Sequence, residues 1–86
     1  MSDPISALRA RFIARAADDL AALQKADADR GGVIHRLAGT AGVFGFGDLS
    51  ALAAVVDDQL HAGQAVDADD WTRLMAALEA VAAMRP

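Results

Sequence analysis

The chain is expected to fold as an all-α protein, an antiparallel up-down-up-down four-helix bundle built from residues 1–86 as a single domain. Three observations lead there. Apolar residues recur at helical spacing in four segments, capping residues bound those segments, and no strand-like alternation or internal repeat competes with them. The connections are short, which favours antiparallel neighbours. A chain of 86 residues is also too short to bury a second core.

The first helix is expected to start at Asp3-Pro4, because aspartate accepts bonds from orphan amides and proline suits the first helical position. Ile5, Leu8, Phe12, Ala16, Leu20 and Leu23 form its apolar stripe. The polar stretch Lys25-Ala26-Asp27-Ala28-Asp29 supplies a turn and the next cap, and Ile34, Leu37, Ala41 and Phe44 then recur on one side of a second helix. Gly45-Phe46-Gly47-Asp48 reads as a stop, a tight turn and a new N-cap. It leads into Leu49, Leu52, Val56 and Leu60 of a third helix ending at Gly63. Asp67 caps the fourth helix, Asp69 and Asp70 sit near its positive dipole end, and Trp71, Leu74, Met75, Leu78 and Val81 face inward. Arg85-Pro86 closes it.

Composition narrows the function classes. The 55% hydrophobic content with 2 prolines is that of a folding chain, not a disordered one. The absence of cysteine removes disulfides, thiolate metal sites and cysteine nucleophiles together. A net charge of -4 argues against general nucleic-acid binding, which needs a basic footprint, and favours protein partners. The charge-free run Leu37 to Gly47 is about half of the roughly 20 residues that a membrane span requires. An acid at Asp3 and charges at Arg9, Arg11 and Arg15 interrupt any apolar signal core, so a cytoplasmic location is expected.

The second helix stands out because Gly31, Gly32, Gly39, Gly42 and Gly45 lie in it or at its ends. Each internal glycine costs roughly 1 kcal/mol relative to alanine. At about 100° per residue, His35 lies at the edge of the core stripe, and Gly31, Gly42, Gly39 and Gly32 at about 60°, 80°, 140° and 160° from Ile34 share its sector. The imidazole is therefore expected to project from a bare strip that another protein can approach. Small residues can alternatively serve close helix packing. That leaves a non-catalytic adaptor or dimerisation module, using the glycine face, as the competing reading.

The run His35-Arg36-Leu37-Ala38-Gly39-Thr40-Ala41-Gly42-Val43-Phe44-Gly45-Phe46, followed by Leu49 and Leu52, resembles the histidine-containing phosphotransfer (HPt) domain family. That family shows an apolar residue two after the histidine, lysine three after, glycine four and ten after, and leucine fourteen and seventeen after. Leu37, Gly39, Gly45, Leu49 and Leu52 match, whereas Ala38 replaces the lysine. The resemblance implies a four-helix bundle with His35 as phosphoacceptor through Nε2, Gly39 leaving room beside it, and Asp57 in place of an acidic or amide residue on the following helix. It implies a carrier with no ATP-dependent kinase activity, served by receiver domains of response regulators or hybrid kinases. Arg36, or less favourably Arg30, is a candidate to replace the lysine; otherwise the partner's own cations serve.

Imidazole suits such work because a pKa near 6.5 leaves much of it neutral and nucleophilic at cell pH. No cofactor of the chain's own is expected, Mg2+ belonging to the partner receiver, and the chain lacks a P-loop ending. Ala38 and Gly42 are expected to shape the site, and the wheel places Val43 and Phe46 as exposed members of a partner-docking patch on a monomer. His61 is expected to meet the negative end of the third helix. No metal site is expected, since two histidines without clustered carboxylates fall short of the usual ligand sets. Asp57 and Asp58 read mainly as a solvated face, with a lesser role for Asp57 in orienting the second helix.

Overall fold

In the computed structural model, which describes residues 3–25 and 29–85, the chain forms helices α1 (Pro4–Gln24), α2 (Arg30–Thr40), α3 (Gly47–His61) and α4 (Ala68–Ala82). A 3-10 turn, Ala41–Phe44, follows α2, and there is no strand among the described residues. Residues 26–28 of the polar connection and Pro86 lie outside the described residues.

Three helix starts follow the sequence. Asp3 accepts from the Ile5 amide at 3.0 Å with Pro4 in the first position, and Asp29 accepts from the Gly32 amide at 3.0 Å. Asp67 accepts from the amides of Asp69 and Asp70 at 2.9 and 3.1 Å. The start of α3 differs from expectation: Phe46 occupies the cap position without a side-chain bond, and Asp48 lies inside the first turn. Its charge there still meets the positive dipole end.

The second helix also ends earlier than its periodicity suggests. After Thr40, whose hydroxyl donates back to the Arg36 carbonyl at 2.8 Å, the chain tightens into the 3-10 turn. Such tightening satisfies terminal carbonyls over a shorter span. Gly45 then takes φ 90, a left-handed conformation that glycine adopts without steric cost, and the Phe46 amide donates to the Ala41 carbonyl at 3.0 Å. This geometry turns Phe44 and Phe46 towards Phe12, with ring centroids 5.3 and 5.6 Å away.

Each helix packs on its successor, and α1 packs on α4 to close the ring, with α2 and α3 in the most extensive contact. Leu23, Ile34, Leu37, Leu49, Val56, Leu74 and Leu78 are sealed in the centre, with Ala16, Ala41 and Ala53 where backbones approach. Three expected core residues are outside it: Ile5, Leu8 and Leu60 are 63%, 47% and 37% exposed. The first two lie on α1, which has 21 residues against 15 for α3 and α4, so its first turns run past the bundle. Trp71, Met75, Leu20 and Leu52 are half-buried against the core.

Candidate functional site

The tight seam between α2 and α3 positions the site. Ser50 of α3 donates its hydroxyl to the Ala38 carbonyl of α2 at 2.7 Å, and two turns further along α3 Asp57 meets His35. His35 Nδ1 lies 3.1 Å from Asp57 Oδ2, while the imidazole side chain stays 71% exposed and the carboxylate side chain is only 15% exposed. A carboxylate accepts and cannot donate, so this bond places the neutral ring's proton on Nδ1 and leaves the lone pair on Nε2. The fold thereby favours one tautomer of the neutral ring.

His61, one turn beyond Asp57, completes the cluster. Its Nδ1 donates to the Asp57 carbonyl at 2.9 Å and lies 3.1 Å from Asp57 Oδ1, and its ring centroid is 5.7 Å from that of His35. The backbone bond to Asp57, then the Asp57 charge, raises the His61 pKa above 6.5. Asp57 Oδ1 is buried and, although near the His61 ring, accepts no hydrogen bond among the described residues. The expectation that the two histidines lack a shared carboxylate is therefore overturned: Asp57 stands between them. Asp57 is likewise no mere solvated face. Neither fact was visible from one helix at a time, because the meeting of residues 35 and 57 depends on the register of α2 against α3; only the Asp57–His61 spacing of one turn signalled part of it.

Gly31 and Gly32 line a shallow depression of about 340 Å³ with His35, Asp57, His61 and Leu60. A Cβ added at Gly31 or Gly39 meets nothing within 4 Å, so these glycines are not packing against the bundle. Gly42 is 3.6 Å from Ser50 Oγ by the same measure, an ordinary contact, and Gly32 is held close beneath the Asp29 cap. The strip read from the sequence is thus open at Gly31 and Gly39, while Gly32 packs under Asp29 and Gly42 faces Ser50. Leu60, expected in the core, instead borders the strip.

The arginine candidates are engaged elsewhere. Arg36 bonds Asp19 of α1, a carboxylate 5% exposed, which places its guanidinium on the opposite flank of α2 from His35. This corrects the expectation that Arg36 turns its guanidinium toward phosphoryl oxygens on His35: its rotation around the helix takes it to Asp19 of α1. Arg30 lies over the Trp71 ring, 5.3 Å from its centroid. Ala38 is half-buried against the core. Of the docking pair, Val43 is 73% exposed, but Phe46 is half-buried, stacked on Phe12 and covered by the Arg9 guanidinium at 4.7 Å. Phe46 is thus an anchor of the bundle end, because the left-handed Gly45 breaks the helical wheel that placed it outside.

The candidate site is thus an exposed imidazole whose Nδ1 is held by a half-buried carboxylate. Residues 7–84 match the Hpt domain family, and the chain belongs to that family, whose members perform histidine phosphotransfer in phosphorelay signalling as carriers that interact with receiver domains. Neither the curated proteins nor the solved structures contain a match to the chain. Among the described residues no helix is long and apolar enough to cross a membrane.

Proposed function

We propose that His35 is the phosphoacceptor, taking a phosphoryl group from the aspartyl phosphate of a receiver domain and passing it to another receiver. The observation that carries this reading is the His35 ring, 71% exposed with Nδ1 held by Asp57. In the transfer, the Nε2 lone pair forms the N–P bond as the P–O bond to the aspartyl carboxylate breaks, and the carboxylate departs with the electron pair. The phosphorylated ring carries positive charge while its Nδ1 remains protonated, and Asp57 lies against that proton. A charge-assisted bond of this kind contributes about 1.5–3 kcal/mol. The return step reverses the same bonds.

This chain supplies nucleophile and docking face, and the receiver supplies Mg2+ and the cations that neutralise the phosphoryl oxygens. Ala38 offers no cation, and with Arg36 bonded to Asp19 the partner's groups take over the lysine's part. Gly31 and Gly39 keep the approach open, Gly42 keeps the 3-10 turn close to Ser50 of α3, and Val43 with Leu60 provides exposed apolar contacts. The carrier acts as a cytoplasmic monomer. An up-down-up-down bundle fits the pairings of residue 35 with 57, 38 with 50 and 59 with 70, which join earlier residues of one helix to later ones of its neighbour or the reverse.

The test is to incubate the chain with a radiolabelled phosphorylated receiver and Mg2+. Acid-labile label should appear on the wild-type chain and be lost in His35→Gln. Label that survives that substitution assigns the chemistry to another residue and rejects the proposal.

A further inference from the structure

We infer that His35, Asp57 and His61 form a binding site for a divalent first-row transition ion of the zinc type, and that its occupancy closes the nucleophile. The three side chains offer one ligand atom each, all within 4.8 Å of one another. His35 Nδ1 lies 3.1 Å from Asp57 Oδ2 and His61 Nδ1 lies 3.1 Å from Asp57 Oδ1, so the carboxylate faces one imidazole with each oxygen. A tetrahedral ion with bonds of about 2.0–2.1 Å spans ligand pairs about 3.3 Å apart, so a site within the 4.8 Å set forms by side-chain adjustments of about 1.5 Å or less. The fourth position faces the solvent side of the depression, where both histidines are exposed.

The donor chemistry selects the ion. Two imidazoles and one carboxylate suit zinc and its neighbours, whereas Mg2+ and Ca2+ favour oxygen ligands. Asp57 Oδ1, buried and accepting no hydrogen bond among the described residues, gains a partner on metal binding. The chain holds three of the four ligands from two helices, so the bundle itself fixes their spacing.

Occupancy and phosphotransfer need opposite tautomers of His35. A metal on Nδ1 needs that nitrogen's lone pair, so the proton of the neutral ring moves through solvent to Nε2 in His35, and likewise in His61, which gives up its bond to the Asp57 carbonyl. Nε2 then has no lone pair with which to attack phosphorus. The metal site stands on the geometry alone, while its effect on transfer rests on the function proposed above.

The experiment uses the untagged full chain, first stripped with a chelator. Only 2 histidines are present, so the ring signals in an NMR spectrum report directly on the ligands. Titration with Zn2+ should show one equivalent bound by calorimetry, movement of both histidine ring signals, and conversion of His35 from the Nδ1–H to the Nε2–H form. His61→Ala and Asp57→Ala should each weaken binding at least about tenfold, with circular dichroism confirming the fold, and Mg2+ should leave both rings unmoved. Absence of Zn2+ binding, or binding undiminished in folded His61→Ala, overturns the inference. That result leaves the His35→Gln labelling experiment untouched, and failure of labelling would leave the metal titration standing.

Discussion

Replacing Gly39 separates the stability of α2 from the access of His35. An alanine Cβ at this position meets nothing within 4 Å, so Gly39→Ala introduces no clash and restricts the unfolded chain. Glycine in mid-helix costs roughly 0.5–1 kcal/mol against alanine, and Gly39 is the penultimate residue of α2, so a gain near about 0.5 kcal/mol is expected. For a domain of this size that raises the thermal midpoint by about 2–4 °C. Gly39→Leu keeps much of the helical gain but sends its side chain towards the helix N-terminus, over the turn that carries His35. Transfer from a phosphorylated receiver should then slow by at least about tenfold, equal to about 1.4 kcal/mol of barrier, while Gly39→Ala stays close to wild type. Circular dichroism melts and a quenched labelling time course measure the two effects. If both variants melt below wild type, or if the leucine variant transfers at the wild-type rate, the account of Gly39 as bare approach surface is wrong.

Arg36→Met should destabilise the fold by about 1–3 kcal/mol, because it strands the Asp19 carboxylate with Arg15 at 3.9 Å as its remaining cation. The paired change Asp19→Leu with Arg36→Met should recover much of that loss in urea unfolding, since a buried ion pair is readily replaced by apolar contact. Equal losses in the single and paired variants would contradict it. Arg36→Met should also transfer phosphate at close to the wild-type rate. In chelator, the His61 ring should titrate above 6.5 by NMR, and Asp57→Asn should lower that midpoint. With its folded pKa raised, His61 contributes stability that is complete below its unfolded value and lost as pH rises through the folded one. The melting temperature of wild type relative to His61→Gln should therefore fall across that interval; a rise there would reverse the assigned sign.

The helices were legible because caps and periodicity are local: Asp3-Pro4, Asp29 and Asp67 each act within a few residues of themselves. The exposed His35 was legible for the same reason, from its position on one wheel. What escaped depends on other helices. The surplus length of α1 leaves Ile5 and Leu8 outside, the pull of Asp19 diverts Arg36, and the left-handed Gly45 rotates Phe46 inward. The cluster of His35, Asp57 and His61 was half legible, in the one-turn spacing on α3, and its completion waited on the register between two helices.

The hold of Asp57 on His35 also bears on how many different visitors one module can serve. Under the proposed function, the bundle fixes which half of the imidazole faces outward, so unrelated receivers would encounter the same atom. Discrimination among them would then fall to flanking side chains such as Val43 and Leu60, which can vary without disturbing the shared chemistry.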